Sequence, residues 1–324
     1  MAELTEIPVI DVGAIYTTDV KAIDYLAAEF YRVYSTAGFG YIVNHGISES
    51  LIAQVFSASK RFHSLPRDQK MAVELNSIHR GFIPINTSTD VNSKLADVSK
   101  PNQSESFMVM REDTDNSVFV QADEYLAGAN QWPDLQGFRA DVMEYNDAMA
   151  KLAGRLVGVF SKALGVESGL VESFIPPTSW LRLLYYPPVS KEIEGSYGSA
   201  PHTDFGCLTL LAQDDVGGLQ VQSLAGEWID VPRIEGSFVL NVGDMLHRWS
   251  NGLLRSTPHR VINASGLARY SCPFFYDPHV RTNISPLASC VSSDNPARFE
   301  LINFGEFLRA ELEAGYAHHK KTNS

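Results

Sequence analysis

H-T-D at 202–204, S-T-P-H-R-V at 256–261 and R-Y-S at 269–271 are the three pieces of sequence from which the fold and chemistry of this chain are read. His259 lies fifty-five residues beyond Asp204, and Arg269 ten beyond His259. Side chains two apart in a strand share a face, so His202 and Asp204 are expected to reach one ion together. Two imidazoles and one carboxylate are a ligand set that holds ferrous iron and leaves coordination positions open for other reactants. An H-x-D alone is a weak signal in a chain with nine His and 38 acidic residues. The joint pattern with His259, Arg269 and Ser271 is what carries weight.

Outward from these motifs, the second half of the chain reads as short β-like runs at 181–186, 209–212, 218–222, 227–231, 237–242, 259–263 and 270–276. Turn residues punctuate them at short intervals, which suggests a closed or sandwiched antiparallel fold. The first half is helical in texture. Residues 20–37 carry apolar side chains at helical spacing and stop at Gly38, 48–65 begin at a capping Ser and stop at Pro66, and 138–164 stop at Gly165. Short strands are expected at 7–11, 39–43 and 106–111, a loop entering a strand at 79–82, and a final helix at 304–316. The polar stretch 86–103 has two readings, a lid over the site, which is preferred, and a plain surface loop. The order is helices, a β core, then a helix, so the class is α+β with a mainly β core. With no Pro/Gly/Ser-rich linker, 1–324 reads as one catalytic unit: a helix-rich region 1–175, a core 176–282 and a helical segment 283–324.

A hydrophobic fraction of 44% supports a large core. The net charge of -12 argues against nucleic acid, whose phosphates need a basic surface, but not against small acids, which meet only a local pocket. The three cysteines, with no C-x-x-C, fit a reducing compartment. The start M-A-E-L-T-E-I-P-V-I-D lacks the basic, apolar pattern of a signal peptide, and no apolar run is long enough to span a membrane. A cytoplasmic protein is the expectation.

Arg269 and Ser271 share a strand face. An Arg fork takes a carboxylate bidentately and a hydroxyl adds a further bond, which suits a dicarboxylate held beside the metal. Tyr186 is a further candidate for that carboxylate. Phe275, six residues beyond Arg269, is a candidate wall of a substrate pocket, with core packing as the other reading; Phe107 and Phe205 are lesser candidates that read as core before contact. The stretch 240–252 reads as a strand with turns at Gly243-Asp244 and Asn251-Gly252, in a scaffold role, and His247 is not counted as a ligand. A zinc hydrolase also uses two His and a carboxylate, but H-E-x-x-H is absent and R-x-S has no job there.

With these residues in view, the chain resembles the non-haem iron(II), 2-oxoglutarate-dependent dioxygenases of the isopenicillin N synthase-like family. The matching stretches run in the family's order: I-P-V-I-D (7–11), G-F-G-Y-I-V-N-H-G (38–46), R-G-F (80–82), Y-Y-P-P (185–188), H-T-D, G-G-L-Q-V (217–221), N-V-G-D (241–244), S-N-G (250–252), S-T-P-H-R-V and R-Y-S. The resemblance implies a double-stranded β-helix, a distorted jelly roll with flanking helices. It implies His202, Asp204 and His259 as ligands of Fe(II), and Arg269, Ser271 and Tyr186 as contacts of 2-oxoglutarate. Phe275 matches a position that stacks on aromatic substrates. The implied reaction takes 2-oxoglutarate and O2 to succinate and CO2 while a small organic molecule is hydroxylated, desaturated or cyclised; the candidate pocket aromatics suggest an apolar or aromatic one. One departure is Leu184, where many plant members carry Asn before Y-Y-P. Two alternatives stay open at this point: an oxidase of the same family that ignores 2-oxoglutarate, and a non-catalytic metal-binding or sensor protein on the same scaffold.

Overall fold

In a computed structural model, the residues described are 6–88, 95, 100–166, 168–189 and 195–315. Among them, twelve strands make the two main sheets. They are β1 (Val9–Asp11), β2 (Phe39–Val43), β3 (Gly81–Ile83), β4 (Glu105–Met110), β5 (Thr178–Tyr186), β6 (Ser199–His202), β7 (Leu208–Gln213), β8 (Leu219–Gln222), β9 (Trp228–Asp230), β10 (Ser237–Val242), β11 (His259–Val261) and β12 (Arg269–Asp277). The helices are α1 (Val20–Thr36), α2 (Glu49–His63), α3 (Arg67–Met71), α4 (Val118–Gln121), α5 (Phe138–Ala163), α6 (Asp244–Trp249) and α7 (Phe304–Gly315).

The large sheet runs β1-β2-β10-β7-β12-β5-β4-β3 and the small one β6-β11-β8-β9. Leu184 and Tyr186 of β5 share one apolar cluster with Leu219 and Val221 of β8 and Val261 of β11, so the two sheets close on each other as a jelly roll. Four strands of the large sheet, β1 to β4, come from before residue 176, so the sheet reaches across the expected 175/176 boundary.

The helices cover the outer face of the large sheet. α1 starts where Asp19 accepts from the amides of Lys21 and Ala22. It gives way to β2 at Gly38, whose φ is +68° and where a Cβ would collide with Thr257 Oγ1 and the Arg255 carbonyl; only glycine fits there. α2 starts at Ser48, which accepts from Leu51. α5 buries Phe138, Val142, Tyr145, Met149, Leu152, Leu156 and Phe160 at helical spacing. Each such side chain contributes roughly 1.5–3 kcal/mol of burial, which holds the helical layer on the sheet.

Two expectations change, and a third lies largely outside the described residues. Strand β6 ends at His202, so Asp204 reaches the site through a turn rather than along a regular strand. Gly243-Asp244 is not a simple turn: Gly243 opens the short helix α6. The lid reading falls mostly on 89–94 and 96–99, outside the described residues.

Candidate active site

His202 closes β6 and His259 opens β11, and the ladder pairs the two directly. Their ring centroids lie 4.3 Å apart. Each ring is fixed by its far nitrogen: His202 Nδ1 meets the Ala200 carbonyl at 2.7 Å and His259 Nδ1 meets the Thr257 carbonyl at 3.2 Å. A carbonyl only accepts, so both Nδ1 atoms carry the hydrogen and both Nε2 atoms present a lone pair. Asp204 Oδ1 stands 3.6 Å from each Nε2, and the three ligand atoms all lie within 4.8 Å of one another. Three electron-pair donors converging without a hydrogen between them are a cation site, and two nitrogens with one oxygen suit ferrous iron.

Asp204 itself is held from behind. Its Oδ2 accepts from Thr209 Oγ1 at 2.5 Å and Asn241 Nδ2 at 2.7 Å, which leaves Oδ1 to face the imidazoles. Its backbone is pinned by the start of α6: the amide of Asp244 donates to the Asp204 carbonyl at 2.7 Å, and Met245 to Gly206 at 2.9 Å. A Cβ on Gly243 would strike the carbonyls of Gly206 and Asp204, so that approach needs glycine. This is the physical content of N-V-G-D at 241–244. Burial works against charge on the Asp204 carboxyl, but with no cation bound His259 and His202, once protonated on Nε2, together with the Thr209 hydroxyl outweigh it and hold it well below the usual carboxylate range. Asn241→Leu should therefore weaken iron(II) binding by roughly 10- to 100-fold, the usual cost of losing a ligand's outer partner. Metal titration with a competing chelator checks this, and unchanged affinity would show that Asp204 needs no such support.

Arg269 is 0% exposed. Its Nε donates to the Gly217 carbonyl at 2.6 Å, Nη1 to Ser271 Oγ at 3.3 Å and Nη2 to Gln213 Oε1 at 3.3 Å. Of five guanidinium hydrogens, one on each terminal nitrogen remains, the fork that a carboxylate fits. No carboxylate pairs with Arg269 among the described residues. A buried cation without a counter-charge is costly, and an anionic ligand relieves that cost. The Tyr186 ring lies against the guanidinium, 4.7 Å from centroid to carbon, opposite Arg269 in the ladder. Its observed contact is therefore through the ring face.

Phe275 shares the inner face of β12 with Arg269 and Ser271 and packs on Trp180 of β5, whose ring also meets Phe205; the centroid distances are 5.7 and 5.8 Å. Both phenylalanines are only partly buried. Phe107 does not belong with them. It points to the helical side, fully buried against Phe62 and Phe138 at 4.6 and 5.2 Å, and is core. His247 is tied to the Leu254 carbonyl at 2.6 Å, in keeping with a scaffold role. Sequence reading passes over Thr209, Gln213 and Trp180, and takes Asn241 only as part of N-V-G-D. Thr209 and Gln213 alternate with Leu210 and Ala212 along β7, so polar side chains on one face of an otherwise apolar strand are the available signal.

Asp277 ends the same face of β12, fully buried, with Oδ1 accepting from the Cys207 amide and Oδ2 without a hydrogen-bond partner among the described residues. Burial raises its carboxyl, the Cys207 amide opposes, and the charge of Asp204 adds, so that it is pushed up from 3.8 to about 8. Between those values the folded chain holds a proton that the unfolded chain has released, so stability falls as pH rises through the window. In the iron-free protein Asp277→Asn should flatten this slope. Denaturant titrations at both ends of the window check it, and an unchanged slope would contradict the assignment.

Residues 177–278 match the 2OG-Fe(II) oxygenase superfamily, and 7–135 match the N-terminal region described as non-haem dioxygenase in morphine synthesis. The chain is 34% identical to the 2-oxoglutarate-Fe(II) type oxidoreductase hxnY of Emericella nidulans, covering 95% of this chain and 90% of that protein. A full-length Neurospora crassa protein, solved in complex with alpha-KG and thymine, superposes with a TM-score of 0.83 at 30% identity, over 95% of this chain and 96% of the other. The structure of JOX2 with 2OG, Fe and JA gives 0.76 at 27% identity, over 96% of this chain and 89% of JOX2. No helix among the described residues is long and apolar enough to cross a membrane. The fold, the converging His-Asp-His set and these likenesses agree: the chain belongs to the 2OG-Fe(II) oxygenase superfamily and is an iron- and 2-oxoglutarate-dependent oxidoreductase.

Proposed function

We propose that this chain couples decarboxylation of 2-oxoglutarate to oxidation of a small ring-bearing molecule, using His202, Asp204 and His259 to hold iron and Arg269 and Ser271 to hold the distal carboxylate of 2-oxoglutarate. The observation that carries the reading is the buried Arg269 fork, matched by no protein carboxylate among the described residues; Gln213, which meets it, shares a face of β7 with Thr209, which meets Asp204. When bound, the iron supplies the oxygen chemistry, and the protein positions and shields the reactants. The Nδ1 hydrogen bonds of His202 and His259 fix both rings, and Thr209 with Asn241 fixes Asp204. Tyr186 backs the guanidinium, and its hydroxyl is a further contact for the same carboxylate. Phe205 and Phe275 around Trp180 make an apolar wall suited to a planar ring. The Neurospora crassa protein, solved with thymine bound, supports a ring-shaped substrate.

The test is succinate formation by iron-loaded protein in air during a screen of small ring compounds. A compound that raises succinate release and is itself oxidised in proportion establishes the coupling. A compound consumed at full rate without 2-oxoglutarate would replace this reading with an oxidase.

A further inference from the structure

Arg182 lies in β5 between Trp180 and Leu184, on the face that carries Tyr186 and looks into the roll. Its contact confirms the direction. Nε donates to Ser106 Oγ at 2.9 Å, and Ser106 stands opposite Leu184 in the β4–β5 ladder. Ser271 faces Leu184 and Phe275 faces Trp180. Arg182 therefore occupies the row between the co-substrate clamp and the aromatic wall, roughly 7 Å along the strand from each.

Its guanidinium is partly buried, and Nη1 and Nη2 make no hydrogen bond or ion pair among the described residues. Arg269, six positions from Phe275 on the neighbouring strand, already accounts for the distal carboxylate of 2-oxoglutarate. Arg182 is a second cation in the same chamber with no assigned anion. A guanidinium whose Nε is tied down offers its terminal nitrogens as a fixed pair, the geometry that takes a carboxylate bidentately. On its far side from the clamp begin Trp180, Phe205 and Phe275, a surface for a planar ring. The net charge of -12 is spread over the whole chain and does not decide a local pocket.

We propose that Arg182 anchors the carboxylate of the molecule being oxidised, so that the substrates are aromatic or heteroaromatic carboxylic acids, bound with the acid on Arg182 and the ring against Trp180, Phe205 and Phe275. The proposal rests on the function proposed above.

The test uses matched acid and amide pairs: benzoate with benzamide, phenylacetate with phenylacetamide, and 2-naphthoate with 2-naphthamide. Binding to the full chain, loaded with iron(II) and 2-oxoglutarate and kept free of oxygen, is measured by calorimetry for the wild type, Arg182→Gln and Arg182→Lys. At least one acid should bind more tightly than its amide by roughly ten- to a hundredfold, the worth of a charged hydrogen-bond pair. Arg182→Gln should erase that preference, and Arg182→Lys should keep part of it, which a merely structural role would not produce. No acid preference in any pair overturns the proposal, as does a preference that survives Arg182→Gln. Loss of 2-oxoglutarate affinity in Arg182→Gln, with the acid preference intact, assigns the guanidinium to the co-substrate instead. Failure of the wild type to bind 2-oxoglutarate at all removes the underlying function, an outcome distinct from the others.

Discussion

Asp204→Ala should leave a folded protein that no longer retains iron and no longer forms succinate. Asp204 supplies the only carboxylate oxygen in the His-Asp-His group found among the described residues. Losing a first ligand should cost well beyond the roughly 10- to 100-fold expected from losing Asn241 behind it. Iron content after gel filtration and succinate release are the two readouts. The variant also relieves Thr209 and Asn241 of their shared acceptor, so melting temperature is followed to separate a lost ligand from a lost fold. Retained iron with retained turnover would sink the ligand assignment.

The second large effect is at Arg269. Truncation of one partner in a buried, hydrogen-bonded charge pair costs about 2–5 kcal/mol, so Arg269→Leu should weaken 2-oxoglutarate by roughly thirtyfold to several thousandfold. Iron affinity should change little, because the three ligands and their hydrogen bonds do not involve Arg269. The wild type should melt later when 2-oxoglutarate is added, by about 2.7 kcal/mol of added stability at a hundred times the dissociation constant. The variant should lose that response. An undiminished shift in melting temperature would make Arg269 a structural residue.

Much of the site is legible in the sequence because its residues carry chemistry that apolar packing does not explain. His202, Asp204 and His259 do converge, and Arg269 and Ser271 do share a face, as strand alternation requires. The helices at 20–36, 49–63 and 138–163 announce themselves through apolar spacing and through Ser48, Gly38 and Gly165 at their ends. What stays hidden depends on contacts between distant segments. Nothing local to Asn241 shows that its amide meets Asp204, thirty-seven residues away. For Phe107 aromatic character alone leaves core and pocket both open. Its register opposite Leu183, which sends it to the helical side, is set by a pairing of strands more than seventy residues apart. Arg182 draws no attention in the sequence, and only the structure shows its terminal nitrogens without a partner among the described residues.

The most direct measurement is calorimetric titration of 2-oxoglutarate into the oxygen-free protein, with and without iron(II), for the wild type and Arg269→Leu. The expected result is one site per chain that requires iron and is lost or severely weakened in the variant. Binding that is indifferent to both the iron and Arg269 would contradict the assignment of this pocket to iron and 2-oxoglutarate.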